Sequence, residues 1–192
     1  MELDTRCFFA AMNRKIVFCY KEPAFGAFWG MAILAFLSSA NKQPLLIAPF
    51  GATCLLVFTC WDSDYAQPRN IIAGHFISGL FGLLCLVCFG QVWWSYAIAV
   101  GTAILMMQIT HCTHPPAASN PILLIMKGEN SWFFLIEPLL AGCIVLVVTA
   151  YVFHRFIARR KYPRYWWQIR TASRTKRQQR GKLQNVYSRK NY

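Results

Sequence analysis

Between Ile71 and Met126 the chain carries no Asp, Glu, Lys or Arg, and further charge-free runs cover 24–41, 43–61 and 138–154. Water-soluble cores do not require so long a silence, whereas a bilayer imposes it, because a charge in hydrocarbon costs several kcal/mol and a span takes about 20 apolar residues. The composition agrees: 14% of residues are charged and 56% apolar, against about 25% charged in a typical soluble domain. The chain therefore reads as an all-α, polytopic transmembrane helix bundle.

The net charge of +13 looks like a nucleic-acid signal until it is located. Residues 1–154 balance, with Arg6, Arg14, Lys15, Lys21, Lys42, Arg69 and Lys127 against Glu2, Asp4, Glu22, Asp62, Asp64, Glu129 and Glu137. The whole excess lies between Arg155 and Lys190. Such a basic run beside Tyr162, Tyr165, Trp166 and Trp167 fits anionic lipid at a membrane surface better than nucleic acid. Three regions follow: an N-terminal interfacial segment over 1–23, with a helix through Cys7–Tyr20, a transmembrane domain over 24–158, and a basic cytoplasmic tail over 159–192. Glu2 and Asp4 argue against a cleaved signal peptide. Of the eight cysteines, most sit within apolar runs as small hydrophobes, and no disulfide is assigned.

Hydrophobic segments fall at about 24–40, 45–60, 71–89, 92–111, 115–126 and 134–155. Four are long enough to span. The second holds Pro44 and Pro49, and the fifth opens on Pro115-Pro116 and meets Pro121, so both read as short re-entrant or half-helix segments. Basic residues before the first segment and after the last put both termini in the cytoplasm, in what is expected to be a bacterial inner membrane.

The order long, Pro-broken, long occurs twice, as in transporters built from two inverted three-segment repeats. The broken segments carry Pro49-Phe50-Gly51-Ala52-Thr53 and His114-Pro115-Pro116-Ala117-Ala118-Ser119. Proline suits a first helical turn, where no intrahelical bond is lost. A helix start at membrane depth presents free N–H groups and about half a positive charge, which suits a small anion. The alternative is that Pro and Gly simply let helices pack closely. His75, in a charge-free segment, and His114, at the mouth of the second motif, are candidates for a solute path and for carrying a proton; His111 is a weaker one. Arg69 and Asn70 before the third segment could draw in an anion or hold their loop. Glu137-Pro138 reads as a first-turn acid favoured by the helix dipole. His111-x-x-His114 supplies too few ligands for zinc, so neither metal nor cofactor is expected.

These residues also carry a resemblance. Pro49-Phe50-Gly51-Ala52, then Ala66-Gln67-Pro68-Arg69-Asn70 with Gly74-His75, then His114-Pro115-Pro116-Ala117, in that order, are similar to the HPP family of integral membrane proteins, named for its His-Pro-Pro motif. Ala118-Ser119 and Thr53-Cys54 depart from the family's usual Gly-Ala and Ser-Ala. The resemblance covers about residues 24–155 and implies four membrane-spanning helices and transport, with nitrite as the solute linked to plant and cyanobacterial relatives.

The leading expectation is a transporter or channel for a small inorganic anion, nitrite first, using Pro49, Gly51, Ala52, Thr53, Arg69, Asn70, His75, His114, Pro115, Pro116, Ala117 and Ser119. A passive channel for a small neutral solute and a non-transporting scaffold with a lipid-binding tail compete with it, and a homo-oligomer is compatible with each. No nucleophile–base pair or two-carboxylate arrangement points to an enzyme.

Overall fold

The computed structural model describes the backbone of residues 3–41 and 45–166 and the side chains of residues 21–40 and 45–166. The expectations for Cys7–Tyr20 side chains, for Pro44 and for the tail beyond residue 166 lie outside the described residues. Six α-helices follow one another: α1 (Leu3–Asn41), α2 (Pro49–Thr59), α3 (Pro68–Phe89), α4 (Trp93–Ile109), α5 (Asn120–Lys127) and α6 (Ala141–Val152). Among the described residues every regular element is helical.

Three stretches are long and apolar enough to cross a membrane: Lys21–Ala40, Pro68–Phe89 and Trp132–Ile157. The expected fourth long span is the shorter α4, 17 residues or about 25 Å of helix against roughly 30 Å of hydrocarbon. Gly90, at φ 72°, and His111, at φ 54°, bracket it with left-handed backbone that a helix cannot propagate through. Trp132–Ile157 bends at Glu137, whose φ −132° and ψ 118° are extended. The following Pro138 excludes α geometry from the residue before it. Glu137, extended directly before Pro138, thus lies in the first turn of the segment Ile136–Leu140 that leads into α6, as expected of an acid there.

Close approaches through glycine give the directions. Gly26 on α1 lies against Phe58 and Gly30 against Cys54, so α1 and α2 are antiparallel. Gly142 lies against Phe50, and the His154 ring reaches the Val57 carbonyl, so α2 and α6 run the same way. On α3, Gly74, Ser78 and Gly82 form one small-residue face at helical spacing. Gly74 meets His114 and Gly82 meets Pro121, so the segment 112–127 climbs alongside α3. Small-residue faces of this kind let backbones approach where lipid gives no hydrophobic drive.

Both short helices start at mid-depth. Phe50 opposes Gly142, near the middle of Trp132–Ile157, and Asn120 bonds Ser78, near the middle of α3. From there α2 runs to the end where Arg160 pairs with Glu22 at 2.7 Å, and α5 runs to the opposite end, where the Gln91 amide donates to the Ile125 carbonyl at 2.6 Å. The start of the first span and the end of the last therefore share one end of the bundle.

The opening of the basic segment is packed onto that end. Tyr162 is buried and its hydroxyl donates to the Ala66 carbonyl at 2.9 Å; Arg164 donates from its backbone N–H to the Gln67 side-chain carbonyl at 2.8 Å and from its guanidinium to the Asp62 carbonyl at 2.8 Å. The Tyr165 hydroxyl donates to the Asp64 carboxylate at 3.2 Å. Tyr162 and Tyr165 thus pack on protein, while Trp166 remains exposed beside Tyr151.

Candidate functional site

The starts of the two short helices meet at α3, and the side chains they bring are polar. Thr53 from the first turns of α2, His75 and Ser78 from α3, His114 from the loop before the 3₁₀ turn Pro115–Ser119, and Asn120 at the start of α5 are all fully buried. The Thr53 hydroxyl lies 2.9 Å from His75 Nε2 and 3.1 Å from His114 Nε2. The two imidazole rings are 5.0 Å apart, and the Phe50 ring packs edge-on against His75 at 5.4 Å. His114 Nδ1 is 2.7 Å from the Tyr65 carbonyl oxygen, and Asn120 Nδ2 is 2.9 Å from His75 Nδ1. The result is one continuous chain of hydrogen bonds, Asn120–His75–Thr53–His114–Tyr65, across a bundle otherwise packed with apolar side chains.

Sequence alone places these groups in three separate segments. Thr53 is delivered because Pro49 opens α2 and puts residue 53 one turn in, where its hydroxyl also reaches the Pro49 carbonyl at 3.2 Å. His114 is held by glycine: a Cβ on Gly74 would stand 2.8 Å from the His114 Cβ and 3.0 Å from the Cys112 carbonyl oxygen. Only the absence of that atom lets the loop lie on α3.

The remaining expected site residues divide into supports and bystanders. Arg69 donates to the Thr110 carbonyl at 2.7 Å and the His111 carbonyl at 2.5 Å, and Asn70 donates to the Thr113 carbonyl at 3.1 Å. Both fasten the loop that carries His114. Pro116 and Ala117 are buried beside it, whereas Gly51, Ala52, Pro115 and Ser119 are exposed, and Ser119 donates to the Pro116 carbonyl at 2.8 Å. His111 is exposed too.

The free helix-start donors expected from the two proline motifs are largely consumed. The chain enters α2 through a turn, so Phe50 N–H donates to the Ile47 carbonyl and Gly51 N–H to the Ala48 carbonyl, each at 3.1 Å. At the second motif two prolines have no N–H, and Ala117 N–H donates to the His114 carbonyl at 3.0 Å. The available hydrogen-bonding chemistry is therefore in side chains, with the helix dipoles as background field.

Two participants and one further buried histidine escaped sequence reasoning. Asn120 was legible as an uncharged amide inside an apolar run, directly before Pro121. The Tyr65 carbonyl had no sequence signal. His154 is buried against Phe58, Trp61, Phe153 and Tyr162, with Nε2 3.0 Å from the Val57 carbonyl, and it belongs to the tail-packing end rather than to the central chain. Among the described residues no group of three or more His, Cys, Asp or Glu side chains is placed to hold a metal ion.

Comparison with known proteins identifies the family. Two curated transmembrane proteins of Dictyostelium discoideum are 32% and 31% identical over 152 residues, 73% of this chain, covering 53% and 49% of their own lengths. The chain thus spans about half the length of the curated relatives it matches. No solved structure matches it. The family model for the HPP transmembrane region matches residues 16–163, a stretch holding every member of the central chain, and the protein is accordingly a multi-pass integral membrane protein of the HPP family.

Proposed function

We propose that this chain transports a small inorganic anion, nitrite being the first to test, and that the anion is handled at Thr53, His75 and His114 where α2 and the 115–120 segment begin. The observation that carries this reading is the burial of two imidazoles bridged by one hydroxyl at the middle of an apolar bundle. Ionisable groups at that depth are costly and mark solute or proton paths by default. The positive end of α2 points toward the site, the bonded chain contains no carboxylate, and its one readily added charge is a proton on imidazole. Each of these favours an anion over a cation. In this structure Thr53, His75 and His114 bond one another while the Asn120 side-chain oxygen is buried without a partner, so a solute enters by replacing one of those bonds.

The topology that goes with this reading has three long spans and the shorter α4 crossing the bilayer, with α2 and α5 as half-helices in two three-segment units of opposite direction. Both termini face the cytoplasm. Arg155, Arg159, Arg160, Lys161 and Arg164 crowd the end where Glu22 lies, and that asymmetry supports the orientation. The basic segment beyond it contacts anionic lipid.

Purified protein in liposomes decides the matter. Uptake of nitrite, nitrate, formate, chloride and urea is measured under imposed pH gradients and membrane potentials. Saturable anion uptake that is lost in His114→Ala supports the proposal. Urea uptake without anion uptake moves the protein to a neutral-solute channel, and no uptake of any solute favours a scaffold role.

A further inference from the structure

Backbone carbonyls fix the direction of every hydrogen bond in the central chain. The Tyr65 carbonyl only accepts, so His114 Nδ1 carries a hydrogen, and in the neutral ring Nε2 is then a lone pair. That lone pair needs the Thr53 hydroxyl hydrogen, which leaves His75 Nε2 as the donor to the Thr53 oxygen. At the other end Asn120 Nδ2 lies 3.2 Å from the His75 carbonyl oxygen and 2.7 Å from Ser78 Oγ. The Ser78 hydroxyl itself donates to the His75 carbonyl at 3.2 Å. Turning the amide over would set its oxygen against the His75 carbonyl, so an N–H faces His75 Nδ1 and that nitrogen is a lone pair. The two neutral rings thus hold opposite tautomers.

Adding one proton breaks the symmetry between them. On His75 it would go to Nδ1, where it meets the Asn120 N–H head-on. On His114 it goes to Nε2, and the Thr53 hydroxyl has a second acceptor ready, the Pro49 carbonyl at 3.2 Å. Rotating that one hydroxyl leaves the Thr53 oxygen accepting from both imidazoles and donating to Pro49, with no heavy atom displaced. Charged or titratable side chains on the surrounding elements are otherwise engaged. Arg69 is bonded to the Thr110 and His111 carbonyls, Asp64 accepts from Tyr165, His111 is exposed, and the Cys54 and Cys143 thiols lie outside the chain.

We propose that the site holds a single proton on His114, that the Thr53 hydroxyl is the rotor that admits it by turning from His114 Nε2 to the Pro49 carbonyl, and that Asn120 is a positioning residue that keeps His75 neutral. The step balances as one hydronium ion giving its proton to one nitrogen lone pair and leaving as water. It deepens the reading of this site as a solute path, since a cation at His114 gives an arriving anion a partner, but the proton site itself does not depend on which solute is carried.

The test is nitrogen NMR of histidine-labelled full-length protein in lipid nanodiscs, with signals assigned by substituting single histidines. At neutral pH His75 should carry hydrogen on Nε2 alone and His114 on Nδ1 alone. On acidification His114 should gain its second hydrogen while His75 stays neutral. Asn120→Asp puts an acceptor opposite His75 Nδ1 and should move the charge from His114 to His75; Thr53→Ser should preserve the wild-type pattern. Matching tautomers in the wild type, simultaneous protonation of both rings, or protonation of His75 first would each overturn the proposal. The wild-type spectra decide this even should Asn120→Asp not fold. Failure of uptake in liposomes with the predicted tautomers intact would reject the anion reading and leave the proton site standing.

Discussion

Thr53→Val is the sharpest probe of what holds the centre of the bundle together. The substitution keeps the side chain's shape and replaces the hydroxyl, which bonds His75 Nε2 at 2.9 Å and His114 Nε2 at 3.1 Å, with a methyl. Interhelical hydrogen bonds in membrane proteins are worth about 0.6 kcal/mol on average and about 1.7 at most, so the two bonds alone amount to about 1–3 kcal/mol. The loss is deepened because both imidazole nitrogens stay buried without a partner, each costing about 1–3 kcal/mol. Part of this is recovered if the rings, 5.0 Å apart, turn to bond each other directly. A net destabilisation of about 2–4 kcal/mol is expected, a fall in melting temperature on the order of 10 °C for a chain of this size. Thr53→Ser keeps the oxygen and loses one methyl, worth about 1 kcal/mol. Thermal unfolding in one detergent, followed by tryptophan fluorescence, compares the three proteins. If Val at this position melts with or above Ser, the hydroxyl is not a structural bridge and the ordered chain through it does not exist.

Gly74→Ala should destabilise by about 1–3 kcal/mol and lift the His114 loop, because the new Cβ meets backbone and Cβ atoms rather than a flexible tip; Gly51→Ala, with nothing within 4 Å, should be neutral or slightly stabilising, and equal effects of the two would refute the close approach. Cutting the chain after residue 170 should leave melting unchanged, whereas cutting after Ala158 should lower it by removing the Tyr162 and Arg164 contacts; equal melting of both would show that residues 159–166 are not part of the folded body. Burial pushes the Tyr162 phenol above its ordinary value, so its contribution is present below about pH 10, the unfolded value, and is lost as pH rises beyond it. Tyr162→Phe should accordingly remove an alkaline step in stability, and an unchanged step would assign it to another group. Cys60, exposed at the end of α2, should be labelled from the same side of the membrane as a tag after Tyr192, and labelling from the opposite side would remove the proposed topology.

The division between what was legible and what was not follows the range of each interaction. Hydrocarbon acts on every residue of a span at once, so the silence from Ile71 to Met126 declared membrane helices without any contact information. Proline acts on its own φ and its neighbour's backbone, so Pro49, Pro115 and Pro116 marked the starts of the short segments. The same local rule misled at one point. Helix starts suggested free N–H donors, but the turn at Ile47–Ala48 and the 3₁₀ turn after His114 consume them. The length of α4 was also hidden, because its limits depend on left-handed backbone at Gly90 and His111, which hydropathy does not register.

The sequence by itself determined that His75 and His114 are unusual, because a titratable group in an apolar span stands out against its surroundings. Only the tertiary structure decided that they share one hydroxyl. Thr53, 22 residues from His75 and 61 from His114, stands out in one dimension only as the end of the first proline motif, and Asn120 and the Tyr65 carbonyl become partners only once the Gly74, Ser78 and Gly82 face has drawn the 112–124 segment against α3. Hydropathy and backbone propensity are properties of a residue and its neighbours in the chain. A hydrogen-bond partner is a property of a distance, and that distance is set by packing.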